Sequence, residues 1–298
     1  MAVHSLGERS YQFIAASIIL ACTVVMVFPL IWVVSMSVTS QHELMRRGGF
    51  VIIPQRPTFY GYELLWNRSS IVLQAFLVSV TRTLLGTLLC LVVTTVGAYV
   101  AARPELPGRK LFILLILITI IFPGGMIPTF LVVRRLGMLN SIWALVIPMM
   151  VNGWALLIIK QFMQNIPGEI NDSAFMDGAG EWTVLVRISV PMAAPALAAI
   201  GLFTAVGHWN AWFDALIYVD EAPLYPLQLV LRNVINGVLS LQSGLAQEDL
   251  AAIPEAVRLD ADSLKMSIIV VTTLPILCVY PFLQKYFTKG MYLGAVKG

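Results

Sequence analysis

One stretch of the sequence combines polar and aromatic side chains inside a long apolar run. After Gly207 it contains six residues that could bind a ligand: His208, Trp209, Asn210, Trp212, Phe213 and Asp214. On one helix, Asn210 and Asp214 share a face at positions i and i+4, and the three rings form an adjoining aromatic face. Aromatic planes stack on sugar rings, and amide and carboxyl groups bind hydroxyls. The stretch therefore fits a path for an oligosaccharide.

The same residues allow other interpretations. Tryptophan is enriched where a membrane meets water, so the rings could form an interfacial belt that binds nothing, and the sequence leaves this alternative open. Asp214 or His208 could instead relay protons in an ion-coupled secondary transporter. An intramembrane hydrolase is a third class. It is disfavoured because His208 and Asp214, six residues apart, point to different helix faces, and no nucleophile is evident beside them.

The composition places these residues in a membrane protein. The chain has 298 residues, of which 58% are hydrophobic and only 12% are charged, and such a chain cannot bury its apolar side chains inside a soluble globule. The net charge of +3 is small and spread along the chain. Without a basic block, nucleic acid is not an expected partner, whereas membrane lipid is.

The apolar runs predict about six membrane-spanning helices. A helix needs roughly 20 apolar residues to cross the hydrocarbon, and backbone in lipid must satisfy its own hydrogen bonds. We therefore predict an all-α, polytopic membrane protein. Residues 10–42 hold no Asp, Glu, Lys or Arg, which predicts an uncleaved first span. The predicted spans are 12–38, 71–102, 111–133, 141–163, 191–219 and 263–285.

Several features interrupt or separate these spans. Pro123, Gly124, Gly125 and Pro128 predict a kink or partial unwinding of the third span. Residues 41–70 are too polar to cross and predict an exposed loop. Pro226 to Leu241 is apolar but too short to span, which predicts a re-entrant or surface helix. Arg82 interrupts the second span, where an arginine is costly and more often has a structural than a ligand-binding role.

A polar segment from Glu169 to Pro195 separates the fourth and fifth spans. Pro167 can begin a short helix, and Gly178 can end it in a left-handed conformation without Cβ strain. Ile170 and Ala174 share one face of that helix. A second amphipathic helix over residues 181–188 places Trp182, Leu185 and Ile188 on one side. Two helices bent at a glycine form a docking element.

The segment resembles the cytoplasmic EAA signature of ABC importer permeases. The resemblance is carried by Asp177-Gly178-Ala179, Ile188 and Pro191, with Asp172-Ser173-Ala174 where the signature begins with Glu-Ala-Ala. In that family the signature forms a coupling helix that docks in a cleft of the ATP-hydrolysing subunit. The resemblance therefore assigns coupling to Asp172, Ser173, Ala174, Asp177, Gly178, Ala179, Ile188 and Pro191.

The resemblance extends over most of the chain. Pro57-Thr58, the stretch 207–216 and the ending Gly294-Ala295-Val296-Lys297-Gly298 are similar to carbohydrate importer permeases of the type I fold. The chain is most similar to smaller permease subunits of maltose-type importers and to permeases for oligosaccharides from plant or algal polysaccharides such as alginate. The resemblance alone implies an acidic oligosaccharide as the cargo.

The resemblance also implies an assembly. Its parts are a second homologous permease, two ATPase subunits and an external solute-binding protein. The chain has no phosphate-binding G-x-x-x-x-G-K-[ST] motif, so we expect it to be a non-enzymatic subunit without a cofactor, with ATP and Mg²⁺ bound by the partner ATPases.

The expected location is the bacterial inner membrane. The basic turn from Arg103 to Lys110 and the distribution of lysines place the 164–190 coupling loop and both termini in the cytoplasm. The predicted division is an N-terminal span and external loop (1–70), a permease core (71–290) and a tail (291–298).

Overall fold

The structure is a computed structural model that describes residues 6–67, 69–242 and 263–278. Regular structure in these ranges is helical, and the pairing of Thr39 with Pro57 is an isolated bridge. This confirms the all-α prediction. The described residues divide into two compact units, one from 6–67, 69, 231–242 and 263–274 and the other from 70–230 and 275–278. The predicted three-part division of the chain stays a prediction.

The first unit begins with α1 (Leu6–Ser37), which has no charged residue after its first turn. Two short helices follow, α2 (Gln41–Arg46) and α3 (Tyr60–Asn67), both too short to cross a membrane, so the connection over residues 41–70 contains local helical structure. Local capping explains α2, because the Ser40 hydroxyl accepts the backbone N–H of Glu43 at 3.4 Å.

Small polar side chains join α1 and α3 to α15 (Ser263–Cys278) within the first unit. The carbonyl of Ser37 accepts the hydroxyls of Ser263 at 3.3 Å and Ser267 at 3.2 Å, and the Ser37 hydroxyl lies 2.8 Å from that of Tyr62. A Cβ at Gly61 would lie 2.5 Å from the Ser267 hydroxyl oxygen. Small residues let these helices approach closely, as in other membrane helix interfaces.

The second unit contains the long helix α4 (Ser69–Ala102) and a series of shorter ones. Its other helices are α5 (Arg109–Ile121), α6 (Met126–Arg135), α7 (Ile142–Val146), α8 (Gly153–Gln164), α9 (Gly168–Met176), α10 (Glu181–Val184), α11 (Val190–Met192), α12 (Ala194–Asn210) and α13 (Phe213–Tyr218). The next helix, α14 (Leu227–Gln242), confirms the helix predicted over residues 226–241.

Three of the predicted spans are bent pairs of helices. The third bends by 113° between α5 and α6, which confirms the break predicted at Pro123 to Gly125. The fourth bends by 51° before Gly153, and the run leading into the fifth bends by 79° at Ala193. The fourth and fifth predicted spans are therefore bent rather than continuous helices. Proline and glycine interrupt the backbone ladder at or beside each of these positions.

The number of spans stays a prediction. Two helices are long and apolar enough to cross a membrane unbroken, Tyr11–Ser37 and Ile71–Ala102, and the bent pairs raise the number to five in the described part of the chain. The sixth predicted span, 263–285, is described only as far as Cys278, where α15 is apolar but 16 residues long.

The packing of α4 against α12 depends on a glycine. A Cβ built on Gly86 would lie 2.3, 2.5 and 2.7 Å from three ring atoms of His208, which is only 2% exposed. The imidazole is buried and lies directly against the Gly86 backbone. Gly86 therefore sets how closely the two helices approach.

We predict that Gly86→Ala lowers the free energy of unfolding by roughly 1–3 kcal/mol, because the added methyl overpacks a closed site. Gly207→Ala is the matched control, since a Cβ there meets nothing within 4 Å. The measurement is the thermal unfolding midpoint of the purified protein in detergent. Equal midpoints for the two variants would contradict close packing at Gly86.

Candidate functional site

The polar and aromatic stretch does not lie on one continuous helix. Helix α12 ends at Asn210, Ala211 is extended (φ −75°, ψ 131°), and α13 starts at Phe213. The prediction that Asn210 and Asp214 share a helix face was therefore wrong. The break separates the two polar residues by an irregular turn, so each takes a direction set by its own helix.

Arg82 of α4 joins the two sides of this break. Its Nη1 donates to the carbonyl of Ala211 at 3.0 Å, and its Nη2 donates to a carboxylate oxygen of Asp214. The arginine thus supplies a donor at the C-terminal end of α12 and an ion-pair partner to an acid in the first turn of α13. A positive charge at the C-terminal end of α12 and a negative charge in the first turn of α13 each interact favourably with the dipole of that helix.

The six candidate residues of the polar stretch differ in how much of each side chain is exposed. His208 and Trp209 are buried, whereas Asn210 and Phe213 are exposed. Trp209 packs edge-on against Phe76 with centroids 6.0 Å apart, and Trp212 packs edge-on against Phe213 at 5.4 Å. The predicted aromatic face is therefore two separate ring pairs.

A cavity of about 170 Å³ lies beside His208. Its wall combines aromatic side chains of α8 and α12 with polar ones, Asn152, Thr204 and Cys90. Nδ1 of His208 is buried and has no hydrogen-bond partner. A buried nitrogen without a partner is uncommon in a folded protein, which makes His208 the notable polar group of this wall.

The predicted coupling loop forms the expected bent pair of helices. Helix α9 ends in a Schellman motif: Ala179 N–H donates to the Ala174 carbonyl at 2.9 Å, and Gly178 N–H to that of Phe175 at 3.0 Å. Gly178 has φ +82°, as predicted from the sequence. A Cβ there would meet nothing within 4 Å, so backbone conformation, not space, requires glycine.

The second half of the loop differs from the prediction. After α10, residues Leu185–Ser189 form a π-helical turn that leads into α11. On the side predicted for Trp182, Leu185 and Ile188, Leu185 is buried and Ile188 packs against the core, whereas Trp182, which precedes the π turn, is 69% exposed. The predicted face is therefore only partly packed. Ile170, predicted beside Ala174 on a packed face, is also exposed.

The candidate coupling residues present a mixed surface. Asp172, Ser173, Asp177, Gly178 and Pro191 are exposed, whereas Ala174, Ala179 and Ile188 are half-buried and pack against the core of the second unit. Three large apolar side chains that the sequence did not assign to the site stand among the exposed ones: Ile170, Met176 and Trp182.

The role of Arg82 was only partly evident from the sequence. A structural role was expected and is confirmed, but its partner was not identified. The available signal was charge: an arginine and an aspartate within predicted spans are each costly in lipid unless they pair.

We predict that the Arg82–Asp214 pair is strongly non-additive. The Arg82 side chain is fully buried, whereas the Asp214 side chain is 19% exposed. Removing Asp214 therefore leaves the buried Arg82 charge unpaired, which costs more than leaving the partly solvated Asp214 charge unpaired. Asp214→Leu should therefore cost about 3–5 kcal/mol of stability and Arg82→Met less, whereas the double variant should recover much of the loss. The measurement is thermal unfolding in detergent of all four proteins. Additive effects would contradict a coupled pair.

Comparison with known proteins shows close relatives over almost the whole chain. A polygalacturonan/rhamnogalacturonan transport system permease protein of Bacillus subtilis is 36% identical over 291 residues, which cover 98% of this chain and 99% of the relative. Protein LplC of the same organism is 40% identical over 91% of this chain and 90% of its own. No protein-family model matches the chain.

A solved structure has the same fold. It is a bacterial ABC transporter involved in the import of the acidic polysaccharide alginate, with a TM-score of 0.84 and 27% sequence identity over 96% of this chain and 100% of that chain. The relatives match at full length, and the fold is that of a transporter subunit with apolar helices. This chain therefore belongs to the family of ABC-type oligosaccharide transport permeases and is an integral membrane protein.

Proposed function

We propose that this chain and a second homologous permease form the path through which an ATP-driven importer moves an acidic oligosaccharide across the bacterial inner membrane. One observation carries the choice of cargo. The first sequence relative is a transport permease for polygalacturonan and rhamnogalacturonan, and the structural neighbour imports alginate. Both names denote polymers with uronic acid units, which carry carboxylates.

The assembly follows the family pattern. Two ATPase subunits on the cytoplasmic side bind ATP and Mg²⁺, and an external solute-binding protein delivers the sugar. This chain contributes no catalytic residue and no cofactor. Because the family is driven by separate ATPases, the ion-coupled and hydrolase alternatives for His208 and Asp214 are not retained.

The sugar path in this proposal uses the accessible members of the polar stretch. Asn210 and Phe213 are exposed, whereas His208 is buried and contributes to the wall of the 170 Å³ cavity. Trp209, Trp212 and Asp214 border the path through their packing. Because the Asp214 carboxylate is paired with Arg82, its main role is to stabilise the break between α12 and α13, beside Asn210.

The coupling function falls to the loop around Gly178. Exposed Asp172, Ser173 and Asp177 lie beside the apolar Met176, which is 88% exposed. Such a mixture of polar and apolar side chains fits a protein interface. The half-buried Ala174, Ala179 and Ile188 connect this surface to the core, and the chain then enters α12 through the bend at Ala193.

The cargo is tested by transport in proteoliposomes that contain the whole complex. We expect ATP-dependent uptake of oligogalacturonate or oligoalginate and little uptake of neutral oligosaccharides of the same length. A proton gradient without ATP should drive none. Equal uptake of neutral and acidic sugars would contradict the acidic cargo, and uptake driven by the gradient alone would contradict the importer.

The coupling role is tested at Gly178. Gly178→Val forces a β-branched residue into the left-handed region at a cost of roughly 1–2 kcal/mol and misdirects α10. We expect ATP hydrolysis that no longer responds to sugar, in a complex that still retains its ATPase subunits. The measurement is sugar-stimulated ATP hydrolysis by the reconstituted complex.

Three variants serve as controls for Gly178→Val. Gly180→Ala lies in the same loop, has open space and has an ordinary φ of −79°. Gly178→Asn tolerates the left-handed conformation, and Asp177→Ala removes a charge without bending the backbone. All three should retain most of the stimulation. Full stimulation in Gly178→Val would show that this loop does not couple.

A further inference from the structure

Arg103, the residue after α4, contacts both halves of the coupling loop. Its guanidinium lies 3.0 Å from a carboxylate oxygen of Glu181, the first residue of α10. It also lies 5.2 Å from the ring centroid of Phe175, in the last turn of α9, and 4.8 Å from that of Tyr99 in α4. One side chain therefore touches three helices.

These contacts stand on opposite sides of the glycine bend. Phe175 precedes Gly178 by three residues, and Glu181 follows it by three. Because Arg103 binds both, it fixes the angle between α9 and α10 from outside the bend. Because it follows α4 directly, it also ties that angle to the end of the long helix.

The aromatic contacts distinguish Arg103 from an ordinary surface ion pair. Glu181 is 64% exposed in its side chain, and an ion pair with so exposed a partner is weak by itself. The Arg103 side chain is only 22% exposed, and its Nε is buried without a hydrogen-bond acceptor. A planar guanidinium among aromatic rings is stabilised by cation–π contact that an ammonium group reproduces poorly.

The Arg103 guanidinium stays protonated. Burial by itself lowers the pKa of Arg103, but the hydrogen bonds and charges of Tyr99 and Glu181 outweigh burial, and the pKa is raised. The Tyr99 hydroxyl contacts both Arg103 and Glu181, so the three polar groups form one closed network.

We propose that Arg103 is a positioning residue that locks the α9–α10 bend to the end of α4, so that loop movement is transmitted to α4 as well as to α12. This inference rests on the proposed coupling function. It gives the loop a connection to α4 in addition to its direct chain connections, which lead back to α8 and on to α12 through α11.

The first test measures the bend itself and needs no transport. Spin labels on Glu169→Cys in α9 and Thr183→Cys in α10, both exposed positions, report the distance across the bend in a background without the native cysteines. We expect one narrow distance distribution in the otherwise native complex and a broad one with Arg103→Gln. Arg187→Gln, an exposed arginine of the same loop, should leave the distribution narrow.

The second test measures coupling as sugar taken up per ATP hydrolysed by the reconstituted complex. Arg103→Gln should lower this ratio roughly tenfold, within the usual range of coupling energies, while hydrolysis without sugar is unchanged. Arg103→Lys, which keeps the charge but loses the planar stacking, and Phe175→Leu, which removes the ring, should each give part of the loss. Arg187→Gln should match the native complex.

The outcomes separate the inference from the proposed function. A narrow distribution in Arg103→Gln overturns the positioning role, and a broad one with a native ratio of sugar to ATP overturns transmission. If Arg103→Gln fails to assemble, native ratios in both Arg103→Lys and Phe175→Leu overturn the proposal. A native complex that takes up no sugar with ATP contradicts the proposed function alone, because the distance measurement still tests the bend.

Discussion

The break between α12 and α13 depends on one ion pair. Hydrocarbon offers no partner to a free carbonyl, so a helix can be interrupted at membrane depth only where the protein itself satisfies the backbone. Arg82 does this by donating to Ala211, and its charge is balanced by Asp214 on the other side of the break. The irregular turn that separates Asn210 from Asp214 therefore exists because a third helix supplies an arginine.

The sequence predicted most of the architecture because the constraints of a bilayer act locally. Apolar length located the helices, and proline and glycine located the break after Ile121. The capped turn at Gly178 was also predictable, since a left-handed C-cap has a clear preference for glycine. Each of these features is decided by a few consecutive residues.

What the sequence did not predict arises from contacts between distant residues or from small register shifts. The pairing of Arg82 with Asp214 joins positions 132 residues apart. The π turn at Leu185–Ser189 inserts extra backbone into a helix whose amphipathic pattern is regular in the sequence. Periodicity assumes 3.6 residues per turn, so it does not reveal where the turn widens. The polar composition between Ser37 and Ser69 gave no indication of two short helices, although Ser40 is an ordinary N-cap.

Different interactions determine the conformations of the coupling loop and of the polar stretch. The loop relies on backbone geometry, because Gly178 touches nothing and its turn is closed by two main-chain hydrogen bonds. The polar stretch relies on side chains, namely a buried ion pair and a glycine pressed against an imidazole. The elbow, held also by the Arg103 contacts, presents exposed Met176 and Trp182 on either side of the bend. A break that is held by side chains can reorganise if its ion pair separates, and in the proposed function this is how movement of the loop would change the path beside Asn210.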